Sequence, residues 1–256
     1  SARDRLWLLQ CCAEVGAFAE GIAYGEEAAR IAETAGHLTS TVLAQHRLGM
    51  IAFLKGDLQH AIVVLEHALV QCRAADIPLY LYGIMANLGL AYAWSGQVPE
   101  ALPLLDEVVV HEKAGRAGRA GSYMMLRLGE AYLLAGRTNE ASAVAKRALE
   151  LSLAHGERGW QAWILRLQAD LAGSLDRPDV AAAEDAYRVA SALATTLGMR
   201  PLIAHCELGL GSLGRRVGNS SRALEHLTAA VGMFGEMGMQ WWLDTARREK
   251  DLLAPV

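Results

Sequence analysis

The chain has 256 residues, 53% of them hydrophobic, with a net charge of −4. That length can bury a substantial core, and the small negative balance gives no global field for nucleic acid or an anionic membrane. No apolar run is long enough to span a bilayer and no signal peptide is visible, so a cytoplasmic protein with neither membrane nor nucleic-acid partner is expected. The four cysteines, Cys11, Cys12, Cys72 and Cys206, form no CxxC pair and read as reduced, mostly buried thiols.

Thirteen helices are expected, as six hairpins and a closing helix. The hairpins run over about 3–15 and 18–35, 38–55 and 58–75, 78–95 and 98–114, 118–135 and 138–155, 158–174 and 179–197, and 200–217 and 220–237, and the last helix over about 239–253. Pro78 and Pro201 fall at helix starts, where the first-turn N–H has no helical partner to lose. Asp57, Thr138 and Asn219 or Ser220 fall at second-helix starts, where a short polar side chain caps free N–H groups. Gly36, Gly156, Gly198 and Gly238 fall at second-helix ends, where a left-handed residue is common. In the fifth hairpin Asp176-Arg177-Pro178-Asp179 replaces a glycine turn. Gln168 to Ala183 is fifteen residues there, where Gly89 to Ala101 is twelve, so the turn is three residues longer.

The hairpins repeat. A turn glycine stands at Gly16, Gly56, Gly96, Gly136 and Gly218, the first four forty residues apart. A Leu-Gly pair stands at Leu48-Gly49, Leu88-Gly89, Leu128-Gly129 and Leu210-Gly211, and a small residue at Ala28, Ala68, Val108, Ala148, Ala190 and Ala230. Self-similarity at a fixed period marks a repeat array, in which each unit packs on its neighbours and one hairpin alone cannot bury both its apolar faces. The expected fold is an all-α solenoid forming one array over 1–256. Its units are about 1–36, 37–76, 77–116, 117–156, 157–198 and 199–238, closed by a capping helix at 239–253.

Leu88, Gly89, Tyr92, Gly96, Ala101 and Leu105 in the third unit, and Leu128, Gly129, Tyr132, Gly136, Ala141 and Ala148 in the fourth, resemble the tetratricopeptide repeat. The resemblance covers nearly the whole chain and is weakest in the first and fifth units. It implies a right-handed superhelix whose first helices line the concave side. The period exceeds the common one of about thirty-four residues and is similar to the long-helix arrays of bacterial signalling proteins and transcription regulators. The closing stretch, from Gly198-Met199-Arg200-Pro201 to Met239-Gln240-Trp241-Trp242-Leu243, is similar to the end of bacterial multidomain proteins with a nucleotide-cyclase domain, a signalling ATPase domain and a terminal array. That likeness implies a sensory or scaffolding role.

The stripe around the Leu-Gly glycine faces the concave side on this reading. It carries Arg47, Met50, Phe53 and Leu54 in the second unit, and Asn87, Leu90 and Trp94 with Tyr82 upstream in the third. The fourth unit adds Arg127, Glu130 and Leu133 with Tyr123 upstream, the fifth Arg166, and the sixth Arg215 and Arg216. Arg47, Asn87, Arg127 and Arg166 form a polar ladder beside a Met, Phe, Trp and Tyr patch. An apolar groove edged by donors suits an amphipathic helix or an extended, carboxylate-bearing peptide. Alternatively, the ladder bonds only neighbouring helices and the aromatics are core.

The first helix carries Leu6, Trp7, Leu8, Leu9, Cys11 and Cys12 with little polar relief, and the last an outer face of Asp244, Arg247, Arg248, Glu249, Lys250 and Asp251. Solenoids need polar caps at free ends, so more protein is expected before Ser1, or a homodimer through the first helix. Trp241 and Trp242 pack under the cap or form a partner patch. No motif carries chemistry: no catalytic, cofactor-binding or metal set is expected. Gly115-Arg116-Ala117-Gly118-Arg119-Ala120-Gly121 lacks the strand and Lys-Ser/Thr of a phosphate loop. His60 and His67 are two turns apart, and His205 and Cys206 point to different faces. The expected function is a non-catalytic protein- or peptide-binding scaffold or sensor of a bacterial signalling protein, acting through the concave groove. The alternatives are a small-molecule effector domain, which needs a closed polar pocket, and an architectural homo-oligomerisation module.

Overall fold

A computed structural model of the chain describes residues 1–113 and 121–253. Among them are thirteen helices and no strand: α1 (Ala2–Val15), α2 (Phe18–Thr34), α3 (Leu38–Lys55), α4 (Leu58–Ala74), α5 (Pro78–Trp94), α6 (Val98–Lys113), α7 (Gly121–Leu134), α8 (Thr138–His155), α9 (Arg158–Ser174), α10 (Val180–Leu197), α11 (Arg200–Arg216), α12 (Ser220–Glu236) and α13 (Gln240–Asp251). The expected turn at Gly115–Ala120 lies outside the described residues.

Local chemistry sets these boundaries. Pro78 opens α5 and Pro201 lies in the first turn of α11. The Asp57, Asp179 and Asn219 side chains accept from the N–H of His60, Ala182 and Arg222, capping α4, α10 and α12. Thr138 is no cap: it is the first helical residue of α8, behind Arg137, whose side chain makes no capping bond. At the end of α4 the left-handed position belongs to Asp76 (φ 48°), where other units use glycine. Aspartate tolerates that conformation better than most side chains because it bonds its own backbone.

The Leu-Gly pair is explained by the hairpin contact. A Cβ at Gly49, Gly89 or Gly211 would sit 2.6, 2.8 or 2.5 Å from Leu65, Leu105 or Leu227, each sixteen residues on. The glycine is the hole and the leucine of the second helix the knob. In the fourth unit Ala145 stands at the leucine's place, and Leu167 of α9 comes within 2.7 Å instead. The three-residue insertion in the fifth unit puts Tyr187 there, nineteen residues after Gln168.

Each odd-numbered helix packs on its hairpin partner and also on the next odd-numbered helix, so the odd helices form the inner layer and the even helices the outer. One continuous core runs from Leu9 to Ala246. The superhelix curls until its ends touch. Glu14 of α1 accepts from Trp163 Nε1 of α9 at 3.1 Å, and a Cβ at Gly16 would meet Met237 Sδ at 2.5 Å and Pro201 at 3.5 Å. Gly56, after α3, faces Trp241 and Trp242 of α13, with a Cβ position 3.1 Å from each.

The two ends differ from expectation in detail. Leu6 is buried (4% exposed) against Ala28 and Ala44, while Trp7 and Leu8 stand exposed. Cys72 and Cys206 are buried, Cys12 is intermediate and Cys11 exposed, so half of the thiols, not most, are buried. No helix among the described residues is long and apolar enough to cross a membrane.

Candidate functional site

The ladder residues occupy one inward-facing register of α3, α5, α7 and α9, and the curl of the array buries them. Asn87, Arg127 and Arg166 are 0%, 1% and 8% exposed. Each has found a partner within the chain. Arg47 Nη1 donates to Gln10 Oε1 at 2.6 Å and lies 3.6 Å from Met50 Sδ. Asn87 Nδ2 lies 3.0 Å from His46 Nε2. Arg127 Nη1 donates to Glu130 Oε2 at 3.0 Å. Arg166 donates from Nη2 to the other oxygen of Glu130 and from Nη1 to Asp170 Oδ2 at 2.8 Å, and Tyr187 donates its hydroxyl to Asp170 Oδ1. Two guanidiniums and two carboxylates thus close a neutral quartet.

Aromatic rings pack around this polar line. Phe53 stacks on Trp94 at 4.3 Å, and Trp94 stacks in turn on Trp241 at 6.0 Å. Trp242 meets Trp94, Trp241 and His205 edge-on at 4.6, 4.4 and 4.2 Å. The Arg127 guanidinium lies 5.2 Å from the Phe53 ring and 5.4 Å from the Tyr123 ring, a cation–π arrangement that suits a charge taken out of water. Met50, like Phe53, is fully buried.

Burial dominates the electrostatics. It pushes His46 down to about 3, helped by the neighbouring Arg47 charge. It also lowers His205 well below the histidine range, with Arg166 and Arg127 adding to the effect. Both rings are therefore neutral at pH 7. Burial raises the Glu14 and Asp170 carboxyls, against the pull of Trp163 and Arg127 on the first and of Arg166 on the second. For Arg166 burial works against the charge, but Asp170 and Glu130 outweigh it and the pKa rises.

Of the residues read from the sequence, Arg47, Met50, Phe53, Asn87, Trp94, Tyr123, Arg127, Glu130 and Arg166 come together on the inner face. Tyr82 does not join them: it stacks on His111 of α6 at 3.5 Å. Arg215 also lies apart, and its Nε and Nη2 hold Glu249 of α13 at 3.0 and 3.4 Å, fastening the last helix to α11. Sequence reasoning missed Glu14, His46, Asp170 and Tyr187, and weighed His205 only as a partner of Cys206. Asp170 was accessible, four residues after Arg166 on the same helix face; Glu14, 149 residues from its partner Trp163, carried no local signal.

Where α5, α7, α9, α11 and α13 meet, the chain leaves a cavity of about 330 Å³. Glu130, Arg166, His205 and Trp242 form its buried floor, and Leu133, Leu167, Leu208 and Leu213 its sides. Leu134, Ser174 and Arg216 stand exposed at its mouth.

Stacked helix hairpins, an inner layer of first helices and a repeating knob-and-hole contact define a helical-repeat solenoid. Two segments, residues 83–110 and 122–155, match family models described as tetratricopeptide repeat. The chain thus carries tetratricopeptide repeats in these two segments, and repeats of this kind serve in general as protein-interaction scaffolds. No curated protein matches the chain.

Proposed function

We propose that the chain is a non-catalytic interaction module, the sensor or scaffold part of a bacterial signalling protein, and that it engages its partner through the inner face of the superhelix. The supporting observation is the convergence of one register of four successive inner helices on a single line, beside space that the chain leaves unfilled. The α3–α5 portion of that face is covered by Trp241 and Trp242. A peptide therefore enters from the side of Leu134 and Arg216, or after α13 has swung away.

The test is capture of binding proteins from bacterial lysate by three forms of the chain. Arg127 and Arg166 are unsuitable targets, because their charges hold the interior together. Leu134→Glu alters the mouth of the inner face at a residue 49% exposed, and Val63→Glu alters the outer face at one 63% exposed. A protein captured by wild type and by Val63→Glu but lost with Leu134→Glu supports the reading. Equal capture by Leu134→Glu moves the interface off the inner face.

A further inference from the structure

We propose that the cavity lined by α5, α7, α9, α11 and α13 binds a small uncharged molecule with an apolar, ring-sized body and a carbonyl or hydroxyl oxygen at its leading end. This goes beyond the partner-binding reading and stands without it.

Size comes first. About 330 Å³ is at the lower end of small-molecule sites and too narrow for a helix of about 10 Å diameter. Charge comes second. The floor is already balanced, since Arg166 is held by Glu130 and Asp170, and Glu130 also holds Arg127. At the mouth, Arg216 spends its two terminal nitrogens on the carbonyl oxygens of Gly173 and Leu175, at the end of α9. His205 is neutral. An ionised ligand would leave water and find no free counter-charge at the floor, which is unfavourable in a buried site. Polarity comes third. Arg166 Nε is buried and has no hydrogen-bond partner among the described residues. An unpaired buried donor is destabilising, and an incoming acceptor relieves it. The four leucines of the sides then set the apolar body.

The test uses the intact chain at pH 7 and four probes of one shape: benzamide, toluene, benzoate and benzylamine, the last protonated. Binding is read from the indole N–H signals of Trp242 and Trp94 in nitrogen-15 spectra. Benzamide is expected to shift both saturably, with toluene, benzoate and benzylammonium each at least about tenfold weaker. Ser212→Phe, which fills the cavity, should abolish the benzamide shifts while the helical circular dichroism is kept. Leu134→Trp, which blocks the mouth, serves should the first variant not fold. Benzoate or benzylammonium binding as tightly as benzamide overturns the charge argument, and toluene doing so overturns the acceptor argument. No saturable shift with any probe, or benzamide binding unchanged in a folded filled variant, overturns the site.

Discussion

Glu130 is the carboxylate on which two buried guanidiniums depend, so Glu130→Gln is the sharpest test of the interior. The substitution keeps the shape and leaves one carbonyl oxygen, but removes the charge facing Arg127 and Arg166. Arg166 retains Asp170. Arg127, 1% exposed, loses its ion pair and keeps only the through-space pull of Glu14. Breaking a buried pair by removing one partner costs about 3–5 kcal/mol, and the retained amide oxygen puts the expectation near the lower end. Solvent screening gives no discount, since Glu130 is itself 5% exposed. For a chain of this size the loss corresponds to a fall of roughly 6–20 °C in thermal midpoint. Urea unfolding followed by tryptophan fluorescence measures it. Adding Arg127→Met should recover much of the loss, because the remaining Arg166–Asp170 pair is neutral, with a coupling of about 2 kcal/mol. A cost below about 1 kcal/mol for Glu130→Gln, the value of an exposed pair, would show that water reaches the quartet and would refute the argument. So would a double variant less stable than the single one.

Three further outcomes follow from the same geometry. Gly56 and Gly96 both end inner helices with φ near +90° and +83°, but a Cβ would press on Trp241 and Trp242 at Gly56 and on nothing within 4 Å among the described residues at Gly96. Gly96→Ala should cost only the left-handed strain of about 1–2 kcal/mol, and Gly56→Ala about 1–3 kcal/mol more through overpacking; equal costs in denaturant titrations would dissolve the contact between the ends. His46 stays neutral in the fold down to about 3, whereas in the unfolded chain it takes a proton near the ordinary value of about 6.5. Stability from this residue is therefore full above that value and falls as pH drops, by about 1.4 kcal/mol per pH unit. Subtracting the profile of His46→Gln isolates this share from the opposite contributions of Glu14 and Asp170, and parallel profiles between pH 6 and 4.5 would contradict it. On α1, Leu6→Ala should cost about 2–5 kcal/mol as a core truncation, while Trp7→Ser with Leu8→Ser should stay within about 0.5 kcal/mol per site. Light scattering on the second variant then tests the homodimer expected from the sequence: an unchanged mass would remove Trp7 and Leu8 from any such interface.

The repeat was legible because its causes are local. At Gly49, Gly89 and Gly211 the Leu-Gly pair marks where the leucine sixteen residues on must fit, a contact between the two helices of one hairpin. The polar ladder was legible for the same reason, as one register of a repeated helix. Where a residue substitutes for another with the same physical effect, the pattern hid it. Asp76 does the work of a glycine, and Arg137 begins a helix where Thr138 had the better side chain for it. What could not be read was the curl. The rotation between units is small and accumulates, so whether the first and last hairpins meet depends on the sum over the array rather than on any residue. Whether the inner face is an open groove or filled by the chain itself was therefore left undecided by the sequence, and the expected packing of Trp241 and Trp242 under the cap gave no sign that they also reach Gly56 after α3 and Trp94 of α5.

Closure also explains why so much polarity lies inside. A solenoid that stays open can leave arginines of its concave face in water, but one whose ends meet must neutralise them, and charges brought in by one helix have to be answered from the next. Arg127 and Glu130 come from α7, and Arg166 and Asp170 from α9, so the quartet exists only when those units are stacked in register. Its neighbours Trp94, His205 and Trp242 tie the same region to α5, α11 and α13. Five inner helices thus share one polar and aromatic centre with the cavity at its edge. Anything that binds there touches the array's middle and its end together, and its binding energy acts directly on the contact that holds the superhelix shut.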